Sequence, residues 1–186
     1  MPKDNNNKTA QSCEPSLPKG NRKDAALHLS LLVGDERVCL QAFDDKAKDS
    51  RLAEIRHGTL SELSRWVRSK QKQGCGVYVC VNETDGKGRR LQNITAYRAA
   101  LVDLDGAPLP PDWEIEPHLL VETSKGRYQA WWMLEHGSDL NSWSDLQARL
   151  AAYYKGDPSV IDPPRVARFA LTVHLNAEPF TCRVVS

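Results

Sequence analysis

Apolar residues follow two different periods along the chain once the first 24 residues are passed. Residues 1–24 are rich in Asn, Lys, Ser and Pro and carry few large apolar side chains, so we predict a disordered tail there. Helical spacing of apolar residues over 25–32 and 140–154 predicts two amphipathic helices. Another helix is predicted to start after the capping residue Thr59, with Glu62 three positions later.

Short apolar runs, several of them alternating with polar residues, predict β-strands. They cover residues 37–43, 76–82, 96–103, 118–123, 128–134 and 180–185. Only the turn Ser124-Lys125-Gly126-Arg127 separates the fourth run from the fifth, which is typical of a β-hairpin. Prolines 158, 163 and 164 exclude a regular helix nearby and leave short strand or coil over 165–174. Helices and strands mix without strict alternation, so the pattern predicts an α+β fold.

Composition narrows the class of protein without identifying it. The chain has 186 residues, 40% of them hydrophobic and 26% charged, which suits one globular domain with a buried core. A formal net charge of +1 excludes a global attraction to nucleic acid, so any basic surface must be local. The sequence contains no signal peptide and no apolar run of membrane-spanning length, so we expect no membrane partner. Its five cysteines include no Cys-x-x-Cys pair, which favours a reducing cytoplasm.

Two carboxylates stand at the end of the apolar run over 96–103. Asp103 and Asp105 are two positions apart, so on a strand their side chains project from the same face. Two like charges this close are unfavourable unless a cation lies between them, and Mg²⁺ is often held by carboxylates together with substrate phosphates. The pair therefore predicts a divalent-metal site for phosphoryl or nucleotidyl transfer. The alternative is a strand-end turn with two solvated acids.

The hairpin turn is a candidate anion site. Gly126 can adopt a positive φ, and consecutive turn amides can form a concave nest for an anion. Lys125 and Arg127 add positive charge beside it. The alternative is an ordinary solvated hairpin.

Two further polar segments could serve a nucleotide or a nucleic acid. In the first, Asp157 precedes Arg165 and Arg168, which suits a third metal ligand followed by a triphosphate clamp; a surface salt-bridge network is the alternative. In the second, the loop that contains Lys87, Arg89 and Arg90 could contact a nucleic-acid backbone, or could simply be solvated.

Taken in order, these segments resemble a known family. The similarity is carried by residues 82–89, 97–106, 121–131 and 156–168, which resemble the RepB-like DNA primase domain of plasmid and phage replication proteins, within the archaeo-eukaryotic primase and primase-polymerase superfamily. The resemblance implies a catalytic domain over 25–186, with an N-terminal α/β module at about 25–95 and an RRM-like core at about 96–186. It also implies template-directed nucleotidyl transfer on single-stranded DNA, with nucleoside triphosphates as substrates, Mg²⁺ or Mn²⁺ as cofactor and a replicative helicase as a candidate partner.

The resemblance assigns roles to individual residues. The family's Asp-x-Asp motif falls on Asp103 and Asp105 as catalytic metal ligands, and its third acid falls on Asp157, with Asp162 as the alternative. Its nucleotide-binding positions fall on Ser124, Lys125, Arg127, Gln129, Arg165, Arg168 and His174. Lys87, Arg89 and Arg90 are expected to contact nucleic acid.

The sequence departs from the family pattern at three positions, which keeps other functions open. Gln129 stands where many relatives have His, Leu171 replaces a glycine and Asn176 replaces a lysine. Gln129 need not end activity, but the two changes after Arg168 favour, as the alternative, a primase-fold domain with weak or no catalysis that acts as a nucleic-acid-binding replication initiator.

Two other enzyme classes fit the sequence less well. The segment Asp103-Leu104-Asp105-Gly106 also resembles the nucleophile motif of haloacid-dehalogenase phosphohydrolases, but that motif lies at the first strand of its fold and here follows two predicted strands. A nicking relaxase would need a nucleophilic Tyr and a His cluster, and the sequence suggests neither.

Overall fold

The chain folds as predicted into an α+β domain. The computed structural model describes residues 22–34, 37–135, 142–176 and 178–186. Within these ranges the helices are α1 (Arg22–Val33), α2 (Leu60–Lys72) and α3 (Trp143–Tyr154), with short 3₁₀ turns at Ser50–Leu52 and Leu91–Asn93. The strands are β1 (Val38–Asp44), β2 (Glu54–Gly58), β3 (Cys75–Cys80), β4 (Glu83–Thr84), β5 (Ile94–Ala96), β6 (Ala99–Asp103), β7 (Leu119–Ser124), β8 (Arg127–Met133), β9 (Val166–Arg168), β10 (Val173–His174), β11 (Phe180–Thr181) and β12 (Arg183–Val184).

Two four-stranded antiparallel sheets form the frame. The first has the order β2-β1-β3-β9 and the second the order β12-β7-β8-β6, while β4-β5 and β10-β11 form two-stranded ladders. Strand β9 lies late in the chain but completes the first sheet by pairing with β3, through Tyr78 opposite Arg168. The predicted core therefore contributes a strand to the sheet of the predicted N-terminal module.

Helix α2 forms where its capping residues predict it. The Thr59 amide donates to Glu62 Oε2 at 2.8 Å, and the Glu62 amide donates to Thr59 Oγ1 at 3.4 Å. This reciprocal capping box satisfies amides that the first helical turn leaves free. The apolar face of the helix buries Leu63 and Val67, and the chain leaves the helix at Gly74, whose φ is +85°.

Several boundaries differ from the predicted ones. Residues 54–58 form the edge strand β2 instead of an irregular polar stretch. Helix α3 begins at Trp143, and residues 140 and 141 of the predicted helix lie outside the described residues; Lys155, which follows the helix, takes the left-handed conformation. The predicted strand over 180–185 is two short strands, with the amide of Cys182 donating to Thr172 instead.

The adjacent residues Trp131 and Trp132 pack on opposite faces of the second sheet, as alternation along a strand requires. Trp131 belongs to the larger core, where its ring centroid lies 4.7 Å from that of the fully buried His28. Trp132 belongs to a smaller cluster beneath α3, stacked on Tyr154. Burial lowers the pKa of His28 to about 3, because desolvation opposes the charged form.

Helix α3 covers the outer edge of strand β6. The indole of Trp143 donates to the carbonyl of Ala99 at 2.9 Å. The buried amide of Gln147 both accepts from the Leu101 amide, at 2.9 Å, and donates to the Leu101 carbonyl, at 2.8 Å. The edge strand that ends in the two carboxylates is therefore paired by side chains instead of by another strand.

Two more features can be compared with the composition: the state of the cysteines and the length of the helices. Cys39, Cys75, Cys80 and Cys182 are buried free thiols, as expected for small apolar packing residues. Among the described residues, no helix has the length and apolar character needed to cross a bilayer.

Candidate catalytic site

Strand pairing brings the predicted site segments to one edge of the second sheet. Asp103, at the end of β6, is paired with Gln129 near the start of β8. Ser124, at the end of β7, is paired with Arg127 at the start of β8. Because β6 and β7 both run antiparallel to β8, the Asp-x-Asp segment and the hairpin turn meet at the same edge.

The partly buried Asp103 is held by hydrogen bonds. Gln129 Nε2 donates to Asp103 Oδ2 at 2.9 Å, and the Asp105 amide donates to Asp103 Oδ1 at 3.2 Å. Burial raises the pKa of Asp103, and the negative charges of Asp105 and Asp157 act in the same direction. The two hydrogen bonds act in the opposite direction. Gln129 thus orients the first carboxylate by an amide that carries no charge.

Asp157 is brought to the same place by its backbone. Its amide donates to the Asp103 carbonyl at 2.7 Å, on the β6 edge that α3 leaves uncovered. The preceding residue has to be glycine, because a Cβ at Gly156 would lie 2.5 Å from Val102 Cγ1 and 2.9 Å from the Asp103 carbonyl oxygen. The acid predicted as the third ligand is therefore adjacent to Asp103. Its carboxylate accepts from the Ser159 amide at 2.8 Å and from the Ser159 hydroxyl at 2.9 Å.

Asp105 is exposed and is engaged by an arginine. Its backbone lies at φ +32°, uncommon for a residue with a side chain, and Gly106 follows at φ +94°. The Arg127 guanidinium contacts Asp105 Oδ1 and donates to the Asp105 carbonyl at 3.3 Å. This arginine therefore neutralises the second acid of the predicted metal pair.

The donor chemistry at this edge fits a hard divalent cation. The three carboxylates offer oxygen atoms of the kind that such a cation prefers. Burial is the main cause that raises the pKa of Asp103, and repulsion from Asp105 and Asp157, which a cation would relieve, adds to it. Within the part of the chain that the structure describes, no three His, Cys, Asp or Glu side chains are already grouped as a metal cluster. Asp105 and Asp157 would have to turn away from Arg127 and Ser159 to complete one.

One of the turn amides that were predicted to bind an anion is already hydrogen-bonded within the hairpin. Gly126 has the expected positive φ of +71°, but its amide donates to Glu122 Oε1 at 3.0 Å. Glu122 is buried and also forms an ion pair with Arg183 at 2.6 Å. Ser124 is half-buried and Lys125 is exposed, so their side chains remain at the mouth of the site.

Arg165 lies beside the Asp157 segment. It contacts the Ser159 carbonyl and forms an ion pair with Asp162, its neighbour three residues earlier. The salt-bridge alternative therefore describes Asp162, while Asp157 is the acid next to Asp103.

Arg168 lies inside the molecule, paired with a residue that the sequence did not single out. Its guanidinium nitrogens donate to the two oxygens of Asp45 at 2.8 and 2.9 Å, and the group stacks over the Tyr78 ring at 4.3 Å. A Cβ at Gly76 would collide with both members of the pair. Asp45 also accepts from the Leu175 amide at 3.0 Å, so it ties the first sheet to the segment that carries His174.

His174 connects that segment to the hairpin. Its Nδ1 lies 3.1 Å from the Thr123 carbonyl, one residue before the turn. Its Nε2 is buried and has no hydrogen-bond partner among the described residues. Burial lowers the pKa of His174, and the charge of Arg168 acts in the same direction.

The three cations predicted to contact nucleic acid lie in different environments. Lys87 and Arg90 are exposed. Arg89 turns inward, contacting the Pro164 carbonyl, with its Nε 3.4 Å from Gln41 Oε1. Two of the three side chains are therefore presented to solvent.

Sequence reasoning missed Asp45 and Lys48, which follow strand β1. Lys48 has φ +58° and donates to Asn176 Oδ1 at 3.2 Å. The only signal in the sequence was the adjacent pair Asp44-Asp45 closing a strand. The partners of Asp45 and Lys48 lie more than a hundred positions later in the sequence, so no local pattern reveals these contacts.

The fold has close counterparts among solved structures. The chain matches the primase-polymerase domain of cyanophage S-2L with a TM-score of 0.73 and 23% identity, over 91% of each chain. It matches the catalytic domain of primase RepB′ in complex with initiator DNA with a TM-score of 0.65 and 21% identity, over 88% of this chain and 83% of that one. A longer RepB′ primase chain matches with a TM-score of 0.67 and 20% identity, over 88% of this chain and 55% of that one.

The sequence itself matches no protein-family model and no curated protein. At these identities the structural likeness establishes the fold and not the activity. The resemblance noted in the sequence is confirmed at the level of the fold: the chain has the fold of these solved primase and primase-polymerase domains.

Proposed function

We propose that this protein is a primase or primase-polymerase domain that joins nucleotides on a single-stranded DNA template. The observation that carries the proposal is the hydrogen bond from the Asp157 amide to the Asp103 carbonyl. It supports the proposal because Asp157 lies beside Asp103 in a fold whose solved counterparts are primases. The two residues are 54 positions apart in the sequence.

The proposed roles follow from the contacts at the sheet edge. Asp103, Asp105 and Asp157 would hold Mg²⁺ or Mn²⁺, which when bound would activate a primer hydroxyl and stabilise the leaving pyrophosphate. Gln129 keeps Asp103 oriented through its amide. Arg127 covers Asp105 in this structure and becomes free to contact a substrate phosphate once Asp105 turns away.

Template contacts would come from the exposed cations. Lys87 and Arg90 lie on the surface, and one of the structural counterparts was solved with initiator DNA. Contacts of this kind bind the phosphate backbone without regard to sequence and weaken steeply with added salt.

The deciding experiment is a priming assay with single-stranded DNA and labelled nucleotides, ribonucleotides and deoxyribonucleotides tested separately, in Mg²⁺ or Mn²⁺. We expect short new products. Asp103→Ala combined with Asp105→Ala should reduce their yield by at least roughly a thousandfold, since metal-stabilised charge is worth several kcal/mol. The melting temperature should stay close to that of the original chain. Asp112→Ala, an exposed acid in the loop after β6, is the matched control. An unchanged yield in the double variant would refute the proposal.

A second candidate function has an observation in its favour. Asp105 is occupied by Arg127, and the described residues hold no ready cluster of three metal ligands. A domain fixed in this state would bind template as a replication initiator without polymerising. Template binding with no nucleotide incorporation in either metal would select this function.

A further inference from the structure

The loop after strand β1 is fixed by one buried carboxylate. Asp44 accepts hydrogen bonds from the amides of Lys46 at 2.9 Å, Ala47 at 3.2 Å and Asp49 at 3.1 Å. Between the last two, Lys48 takes φ +58°, a conformation that costs of the order of 1 kcal/mol for a residue with a side chain. A strained backbone held by three hydrogen bonds positions the Lys48 side chain instead of leaving it free to sample the surface.

The Lys48 ammonium is held by a neutral group. Its Nζ donates to Asn176 Oδ1 at 3.2 Å, and no salt bridge of the described residues includes Lys48. Asn176 lies two positions after His174, whose pKa the charge of Lys48 helps to lower. An ammonium partnered by an amide keeps its full charge and two of its three donors.

Arg168, a second cation near this segment, is already neutralised. Arg168 gives two hydrogen bonds to Asp45 while both side chains are almost completely buried. Separating them for a substrate would leave a buried, unpaired charge, which is strongly unfavourable. Lys48 is therefore better placed than Arg168 to offer positive charge to an incoming anion.

His174 connects Lys48 to the proposed active site. Its hydrogen bond to Thr123 joins the 173–176 segment to the end of β7, at the sheet edge where Asp103 and the hairpin turn meet. Asn176 lies two residues beyond His174 on this segment, and Lys48 donates a hydrogen bond to it, so Lys48 is linked to the same edge through the segment.

From this arrangement we infer that Lys48 binds a phosphate of the incoming nucleoside triphosphate. The inference rests on the proposed function and deepens it, because it supplies a phosphate-binding cation from a loop that no motif identifies. Lysine acts on phosphate as a compact point charge, so it needs placement more than a particular orientation.

The test compares two lysines of the same loop. Lys48→Met should weaken binding of ATP and dATP about tenfold in the presence of Mg²⁺ and absence of template, the loss expected for one charge-assisted contact. Lys46→Met is the control, because Lys46 is exposed in the same loop, whereas the hydrogen bond to Asn176 comes from Lys48. Calorimetric titration of each variant gives the dissociation constants.

An exchange of side chains separates position from mere charge. Lys48→Asn with Asn176→Lys moves the ammonium to the neighbouring side chain, 3.2 Å away, and should recover most of the affinity that Lys48→Asn alone loses. Equal losses from Lys46→Met and Lys48→Met would overturn the inference, as would an unchanged dissociation constant in Lys48→Met.

The failure of this inference can be told apart from that of the proposed function. If the original chain makes primers while Lys48→Met binds triphosphate normally, only the role of Lys48 is wrong. If the original chain binds no triphosphate and makes no product, both are wrong.

Discussion

Among the arginine–aspartate pairs of the described residues, two have surroundings that give them opposite roles. Arg168 and Asp45 have side chains only 6% and 1% exposed, whereas Arg127 and Asp105 are 51% and 66% exposed. The sequence assigned both arginines to nucleotide phosphates. A buried pair cannot open without stranding a charge, while an exposed pair opens into water at little cost. Only the Arg127–Asp105 pair is therefore suited to a site that must exchange partners for a substrate.

The largest expected effect comes from breaking the buried pair. Arg168→Ala leaves Asp45 charged and unpaired in the interior, and should lower the free energy of unfolding by about 3–5 kcal/mol. Urea unfolding of the two chains measures the difference. Arg168→Met combined with Asp45→Leu removes both charges and should recover much of the loss. A single variant as stable as the original chain would contradict the structural role.

A smaller effect distinguishes buried from exposed groups through pH. The pKa of His28 is lowered to about 3 in the folded chain, so below about pH 6.5 the unfolded chain binds a proton that the folded chain does not. The free energy of unfolding is therefore unaffected by protonation of His28 above pH 6.5. It decreases as the pH falls from 6.5 toward 3, by up to about 1.4 kcal/mol per pH unit.

Unfolding measured between pH 7 and pH 5 tests this linkage. His28→Met should flatten the slope, because a thioether does not titrate. His57 and His174, whose pKa values burial also lowers, contribute in the same direction and leave a residual slope. His118→Asn, at an exposed position, is the control. A slope that His28→Met leaves unchanged would contradict the assignment.

The smallest expected effect on stability comes from the exposed pair. Arg127→Met should change the free energy of unfolding by less than about 1 kcal/mol, since exposed ion pairs contribute little. Its larger effect should appear in primer synthesis, as a raised KM for the nucleotide. The comparison between the pairs would fail if Arg127→Met destabilised the chain as much as Arg168→Ala.

Local patterns were sufficient wherever a structure depends on near neighbours. Thr59 and Glu62 predicted the start of α2 because a capping box involves residues three positions apart. The β7–β8 hairpin followed from four turn residues between two apolar runs. The placement of Asp157 beside Asp103 agrees with the order of the motifs, although the contact itself, through a backbone amide, has no signature in the sequence.

Features that depend on distant partners were missed. Strand β2 is an edge strand with exposed Ile55 and Arg56, so it lacks the alternation that marks a half-buried strand. The partner of Arg168 was missed for a related reason, because Asp45 lies 123 positions earlier. A charge pattern shows that an arginine is present, whereas tertiary packing decides which carboxylate it meets.

The side-chain pairing of strand β6 by α3 also bears on how the protein behaves among other chains. An unpaired strand edge next to these carboxylates would form hydrogen bonds with an extended segment of a neighbouring chain. Such pairing would block access to the proposed site and promote aggregation. Gln147 satisfies the Leu101 amide and carbonyl at that edge with a side chain to which no further strand can be added. Replacing this glutamine by leucine should therefore show itself first as lost solubility at high concentration, in a molecule whose chemistry is otherwise untouched.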